Sequence, residues 1–387
     1  MRGGRGCSIK SSADDLGNVC SADQQEPLVS VISADQQEPL VSVIIPAFNA
    51  ERFVEESVRS VLEQTHRNIE ILVVDDGSTD GTASILRKLE AEDTRLRVIH
   101  QSNQGVASAR NRGVEEAQGL FVAPLDADDV WARRKLELQV KALLEDSGAG
   151  LAYCWTQRID ERGFVIYKDT IRCKDEGDVL HSLVRTNIVG HASGPLMRTE
   201  VVRACGAYDV SLRERSAQGC EDLKLYLSIA RRHPFVLVPQ YLVGYRRTRE
   251  SMSANIDQML RSHHLVMQEL REVEPGIPEA HFRRSSSQIS SWLLSRCRFS
   301  RDLKTGVKLF RNILLLDPAF IVSRWPLHKV PRVVRRVIVL RAQWLGNRFP
   351  ATWPLRLLRP PRYPEWFESQ SVPCSGSRSA AVEAGKQ

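Results

Sequence analysis

Between Leu40 and Asp129 one pattern recurs: a short apolar run, a polar or acidic break, then apolar residues at helical spacing. The runs are Val41 to Ile45, stopped by Pro46; Ile69 to Val74, stopped by Asp75-Asp76-Gly77-Ser78; Leu96 to Ile99; and Leu120 to Leu125. Between them lie Glu51 to Gln64, with Val54, Val58, Val61 and Leu62 in step, a second helix facing inward through Ile85, Leu86 and Leu89, and a third from Gly105 to Gln118. A βαβαβαβ order with brief connections predicts an α/β domain built on a mostly parallel sheet with helices on both faces. In such sheets ligands bind beyond the carboxyl ends of the strands. The loops Pro46 to Asn49, Asp75 to Ser78 and Asp126 to Asp129 all fall at that edge.

The last of these loops carries the strongest chemical signal. Leu120 to Leu125 breaks at Pro124 into Asp126, Asp128 and Asp129, three carboxylates in four positions. Clustered acids at a strand end suit a hard divalent cation, which takes one or two carboxylates and completes its shell with substrate phosphate oxygens. The competing reading is a solvated turn in which Asp129 caps a helix from Arg133 to Glu145.

Farther along, Gly150 to Trp155 reads as a strand, and the pattern is less regular to about residue 220. Glu221-Asp222 then opens a helix carrying Leu223, Tyr226, Leu227 and Ala230 on one face and Arg231-Arg232 at its end, an arrangement that suits the helix dipole. Phe235 to Val238 reads as a strand, Tyr245-Arg246-Arg247 and Ser251 to Ser253 as a polar loop, and 255 to 320 as helical. The expected organisation is an arm over 1–39, an α/β domain over 40–255, a helical extension over 256–320 and a basic tail over 321–387, disordered in part. The arm holds a perfect duplication, Ser21 to Ile32 repeated as Ser33 to Ile44, too short for a solenoid. Only the second copy continues into the first strand.

Charge separates body from tail. The chain carries a net +7, yet ten Lys or Arg and no acid lie between Asp317 and Glu365, so the remainder is at −3. Eight cysteines show no C-x-x-C pair and no metal-ligand spacing, which points to reduced thiols and a cytoplasmic body. No apolar h-region follows Arg2 and Arg5, and no apolar run approaches the ~20 residues that span a bilayer. Contact with a membrane would therefore be peripheral, at its inner face.

The motifs together resemble family 2 of the inverting glycosyltransferases, nucleotide-sugar enzymes of GT-A fold. The matching pieces run from Val41 to Asn49 and from Val73 to Thr82, followed by Asn103-x-Gly105, Ala109-Arg110-Asn111-x-Gly113, Leu125-Asp126-Ala127-Asp128-Asp129 and Gly219-x-Glu221-Asp222. They stand in the family's order over roughly 40 to 255 and leave the arm and the last 130 or so residues uncovered. The resemblance implies that Pro46, Ala47, Phe48 and Asn49 line the nucleotide cleft, with Phe48 against the base or else a plain core aromatic. Asp76 would accept a hydrogen bond from the base, and Asp75 would brace the turn. Asp126 and Ala127 would lie near the ribose, and Asp128 would hold Mn²⁺ or Mg²⁺ at the diphosphate. Asp222 would be the general base with Glu221 helping to place it; the competing reading is helix capping by the acid pair. Arg110 and Asn111 would reach phosphate or else pack within their loop.

Two departures qualify the likeness. Thr248 stands where many relatives carry a His after Tyr-Arg-Arg, and no Gln-x-x-Arg-Trp motif of processive synthases is present. The implied activity is transfer of one sugar from a nucleotide-diphospho-sugar, UDP on family habit, to a glycan or lipid-linked acceptor in cell-surface polysaccharide synthesis. The acceptor side is expected from Asn187 to Pro195 and the loop before Glu221. A basic surface over 321–363 would suit anionic lipid or else be merely solvated, and no nucleic-acid partner is expected. A non-catalytic protein of the same fold and a sugar-phosphate nucleotidyltransferase are the alternatives; the second normally needs a Gly-rich, basic phosphate loop, which Pro46 to Ala50 lacks.

Overall fold

The computed structural model describes residues 38–168, 174–248, 255–300 and 303–317. The first copy of the duplication and the basic tail lie outside these residues; the second copy ends within the first strand. The parallel core consists of β1 (Val41–Ala47), β2 (Ile69–Asp75), β3 (Leu96–His100) and β4 (Phe121–Pro124), with α1 (Val54–Leu62), α2 (Thr82–Glu92) and α3 (Val106–Glu116) between successive strands. β1 pairs in parallel with both β2 and β4, and β2 with β3. Both faces of these strands are covered. Val43 and Ile45 pack with Val54, Val58 and Leu86 on one side, whereas Ile44 and Leu72 pack with Val114 and Tyr153 on the other. That double burial is why the strands read as continuous apolar runs rather than alternating ones.

The second half departs from the parallel plan. It comprises β5 (Val130–Trp131), α4 (Lys135–Glu145), β6 (Leu151–Ile159), β7 (Val165–Lys168), α5 (Leu180–Arg185), β8 (Leu196–Arg198), α6 (Thr199–Ala204), α7 (Ser211–Glu214), α8 (Glu221–Ala230) and β9 (Phe235–Arg246). The sheet order is β3-β2-β1-β4-β8-β6-β9-β5, with β7 on β6. β8 is antiparallel to both β4 and β6, and β6 and β9 run parallel. The interval to 220 is thus more regular than its sequence suggests: its elements are three to six residues long, too short to show a period.

Three boundaries differ from expectation with consequences for the site. β9 continues through Tyr245 and Arg246, so these belong to a strand and not to a polar loop. β5, only two residues long, intervenes between the acidic loop and α4. Asp129 therefore caps no helix: α4 begins after Arg134 with no side-chain cap. Beyond β9 the described chain is helical, as α9 (Ile256–Val273), α10 (Glu279–Ser300) and α11 (Leu303–Leu316). Cys154, Cys205 and Cys220 are free thiols. No helix among the described residues is long and apolar enough to cross a membrane.

Candidate active site

The strand ends converge as the topology requires. The backbone N–H of Asp76 donates to the Ala47 carbonyl (2.8 Å) and that of Leu125 to the Ile44 carbonyl (2.9 Å), fixing the starts of the second and last loops to β1. Pro46 and Ala47 are buried within β1, whereas Phe48 is 51% exposed, which removes the plain core-aromatic reading. Asn49 has a left-handed backbone (φ 49°) that its side chain supports by accepting from Thr79 N–H at 2.8 Å.

Asp75 and Asp76 divide their work. Asp75 accepts from Ser78 N–H (3.0 Å) and faces His100 Nδ1 (3.1 Å), a turn brace. Asp76 is buried; its Oδ1 accepts from Gln101 Nε2 and Gln104 N–H, both at 2.8 Å, and its Oδ2 from Gly105 N–H at 2.7 Å. This carboxylate holds the 101–105 loop before α3, and any contact with a base would be an additional bond. The neighbouring Gly77 (φ +77°) lies so close to that loop that a Cβ would stand 2.9 Å from Asn103 N.

Asp126 to Asp129 form a tight turn, closed by Asp129 N–H donating to the Asp126 carbonyl at 3.0 Å. Each acid is held differently. Asp126 pairs with Arg110 (2.6 Å) and stays partly open to the cleft. Ala127 is nearly buried, and its carbonyl accepts from Ser57 Oγ at 2.9 Å. Asp128 is partly exposed, and burial followed by the nearby Asp126 charge pushes its carboxyl up to about 7. Asp129 is fully buried; it accepts from Ser193 Oγ (2.6 Å) and Arg246 N–H (2.8 Å), and burial with its two acidic neighbours raises it well above the carboxylate range.

Beneath the turn lies a scaffold that sequence reading did not identify. Arg246, on β9, is buried; its Nε donates to the Asp128 carbonyl at 2.7 Å, and its guanidinium reaches Glu56 at 2.7 Å and stacks over Phe53 at 4.7 Å. Ser193 accepts from Asp126 N–H while donating to Asp129. His191 meets Thr156 Oγ1 through Nε2 (2.8 Å), packs on Tyr245 (4.7 Å between ring centroids) and places Nδ1 3.6 Å from Asp129. Burial lowers its pKa to about 4, so it is neutral. The 187–195 stretch, expected on the acceptor side, thus contributes support for the acidic turn as well. Adjacent Tyr-Arg-Arg was the one available signal for Arg246; Ser193 and His191 lie too far along the chain from the acids to be linked to them by spacing.

A hard-oxygen cation fits this donor set. Closely placed carboxylates, two of them driven toward protonation by burial and mutual repulsion, are relieved by a divalent charge. Among the described residues no three His, Cys, Asp or Glu groups are arranged to hold a metal by themselves. A cation held at Asp128 would therefore take its remaining oxygens from substrate and water.

The acid pair of α8 belongs to the same electrostatic cluster. Glu221 is 2% exposed; its Oε2 accepts from Gly219 N–H at 2.9 Å and its Oε1 has no partner. Asp222 accepts from Leu223 N–H at 2.7 Å and is half-buried. Burial first, opposed by Arg110 and aided by Glu221, lifts the Asp222 carboxyl to about 7, overriding the helix terminus that would lower it. Arg110 links the two groups of acids. Burial opposes its charge, but Asp126 first, then Tyr208, Glu221 and Asp222, keep it firmly protonated. Its guanidinium lies 5.3 Å from the Tyr208 ring, and its Nε, the Tyr208 hydroxyl and Glu221 Oε1 are all buried without partners. Asn111, by contrast, packs within the fold: its amide accepts from Tyr208 N–H (2.9 Å) and donates to the Tyr208 carbonyl (2.8 Å). Nothing in the spacing of Arg110, Tyr208 and Asp222 announced this convergence.

A family model described as "Glycosyl transferase family 2" matches residues 42–204. An uncharacterized glycosyltransferase of Rickettsia bellii is 34% identical over 191 residues, covering 49% of this chain and 26% of the relative. An Escherichia coli protein named UDP-Glc:alpha-D-GlcNAc-diphosphoundecaprenol beta-1,3-glucosyltransferase WfgD is 42% identical over 105 residues, 27% of this chain and 41% of that protein. The matched part spans less than half the length of each of these relatives. The crystal structure of S. aureus TarS 1-349 in complex with UDP-GlcNAc aligns with a TM-score of 0.50 at 18% identity, covering 80% of this chain and 93% of that one. The shared architecture is the GT-A fold.

Proposed function

We propose that this chain, whose residues 42–204 form a glycosyl transferase family 2 domain, transfers a single sugar with inversion from a nucleotide-diphospho-sugar to a hydroxyl of a glycan or lipid-linked acceptor. The observation that carries the reading is the cluster in which Arg110 ties Asp126, at the acidic turn, to an Asp222 carboxyl raised to about 7. A carboxylate with that pKa is matched to proton transfer near neutral pH. In this scheme Pro46, Ala47, Phe48, Asn49 and Asp76 frame the nucleoside, Asp126 and Ala127 approach the ribose, and Asp128 holds Mn²⁺ or Mg²⁺. That cation, when bound, neutralises charge developing on the leaving diphosphate.

The chain's own groups carry the remaining steps. Asp222 takes the proton of the acceptor hydroxyl as its oxygen attacks the anomeric carbon from the side opposite the diphosphate, which inverts the centre; a positioned base contributes ~10²–10⁴-fold. Burial sets the raised basicity of Asp222, with Arg110 opposing it and Glu221 adding to it. A UDP-sugar donor and a lipid-linked or glycan acceptor are supported by the E. coli relative, whose name specifies both a UDP-sugar and a diphosphoundecaprenol-linked sugar. The basic segment 321–363, outside the described residues, suits an anionic bilayer by charge. Equal co-sedimentation of full-length and tail-truncated protein with anionic liposomes would exclude that role.

The decisive test is release of nucleoside diphosphate from a panel of UDP-, GDP- and dTDP-sugars with Mn²⁺ or Mg²⁺. Metal-dependent release from one donor, lost in Asp128→Ala and Asp222→Asn, is expected. Silence across the panel, with no nucleotide binding by calorimetry, would favour a non-catalytic protein, and release of pyrophosphate would favour a nucleotidyltransferase.

A further inference from the structure

The N-cap residue of α8 is Cys220, whose side chain makes no capping bond. Asp222 accepts from Leu223 N–H within the first turn, which leaves the Cys220 N–H among the helix-start groups that need a partner from elsewhere. Here the partner comes from α9, in the helical extension, beyond the part matched by the family model. Ser262 is wholly buried on a face otherwise formed by Met259, His263, Val266, Met267 and Leu270, and its Oγ accepts from Cys220 N–H at 3.0 Å. One turn earlier, Met259 lies against Gly219, whose backbone (φ +130°) and tight space exclude a side chain; a Cβ there would stand 2.1 Å from Met259 Sδ. Arg261 donates to the Ser216 carbonyl at 3.2 Å, holding the preceding loop. Farther along, Lys224 of α8 bridges Asp209 and Glu269, and Arg231 pairs with Glu274 at 2.6 Å. Contacts from residue 259 to residue 274 thus fix both the start of α8 and its body.

We propose that α9 is the positioning element for the proton acceptor at Asp222, with Ser262 and the Lys224–Glu269 pair as positioning residues. The inference rests on the reading of Asp222 as general base. Ser262 sets where the first turn of α8 lies, and Lys224–Glu269 sets the rotation of the helix behind it. The bonds of Ser262 and Glu269 go to α8 and its preceding loop and not to the ends of β1, β2 and β4, so loosening them is expected to reduce turnover more than nucleotide affinity.

The test compares full-length wild type with Ser262→Ala, Glu269→Gln, Asp222→Asn and Ser290→Ala. Ser290, on α10, is equally buried and donates within its own helix, so its variant reports general weakening of the extension. Turnover is followed as UDP released from UDP-glucose and UDP-N-acetylglucosamine with Mn²⁺, nucleotide affinity by calorimetry with UDP and Mn²⁺, and backbone protection by hydrogen exchange. In Ser262→Ala, kcat falls five-fold or more, the UDP dissociation constant stays within two-fold and the acidic limb of the pH profile moves. Exchange rises in peptides spanning 216–224 but not in the donor loops. Glu269→Gln shows the same pattern, weaker, and Ser290→Ala shows none of it. Unchanged exchange over 216–224 in Ser262→Ala overturns the proposal, as does an equal loss of turnover in Ser290→Ala. If Asp222→Asn retains full turnover, it is the assignment of the base that fails, whatever the exchange data show.

Discussion

Arg246→Met removes the guanidinium that supports the acidic turn while keeping an unbranched apolar stem in the same space. The lost bonds are those to the Asp128 carbonyl at 2.7 Å, the Asp160 carbonyl at 3.2 Å, the Glu161 carbonyl at 3.3 Å and the Glu56 carboxylate at 2.7 Å. A buried hydrogen bond to a charged group is worth ~1.5–3 kcal/mol. The two longer bonds count for less, and Glu56 is 51% exposed at its side chain, so its share is screened to below ~1 kcal/mol. The stacking over Phe53 is largely kept, because a thioether also packs well on a ring. The sum is a loss of about 3 kcal/mol, or roughly 4 °C in Tm for a 387-residue chain. Function should suffer separately. With the Asp128 carbonyl released, the Mn²⁺ concentration giving half-maximal donor turnover rises ~10-fold or more, as for other groups that orient metal ligands. Differential scanning fluorimetry and a Mn²⁺ titration of UDP release measure the two effects, with Glu56→Gln as the control that removes only the exposed pairing. An unchanged metal requirement in a folded Arg246→Met protein would refute the assignment of Arg246 as the support of Asp128.

Asp222→Asn should abolish transfer by at least ~10²-fold. In the wild type the acidic limb of kcat/KM should rise about tenfold per pH unit and level off above pH 7, where the Asp222 carboxyl ionises. Stability runs the other way: a carboxyl raised from 3.8 to about 7 by folding favours the native state when protonated. Its contribution is complete below pH ~4 and is lost as pH rises through 7, so Asp222→Asn should melt above wild type at pH 8 and level with it at pH 4. Asp76→Asn points an amide N–H at one or more of the three N–H groups now bound; nucleotide affinity by calorimetry should fall ~10-fold, with faster exchange over residues 101–105. Gly77→Ala places a Cβ against backbone in a left-handed turn and should cost about 1–3 kcal/mol by thermal melting.

The parallel core was legible because its signals are local. Each strand from β1 to β4 is an uninterrupted apolar run, each helix between them has an apolar stripe, and their order leaves few alternatives to a doubly covered sheet. That the Asp75–Ser78 and Asp126–Asp129 loops meet at one edge follows from the same order. The acidic turn itself was only half legible. Its three acids are visible in sequence, but a turn capping α4 and a turn held by β9 look alike until β5 is seen to separate Asp129 from the helix.

The fold class and the sheet edge at which the acidic loops gather were readable from the chain, since these depend on periodicity and residue type within a few positions. Tertiary structure alone decided which acids are open to the cleft and which are braced. Asp129 lies next to Asp128 in the chain yet is sealed by Ser193 and Arg246, whereas Asp222 is brought into the field of Asp126 by Arg110. Burial and the approach of distant charges set those carboxyl pKa values, and both depend on contacts between residues up to more than a hundred positions apart. No local pattern encodes them.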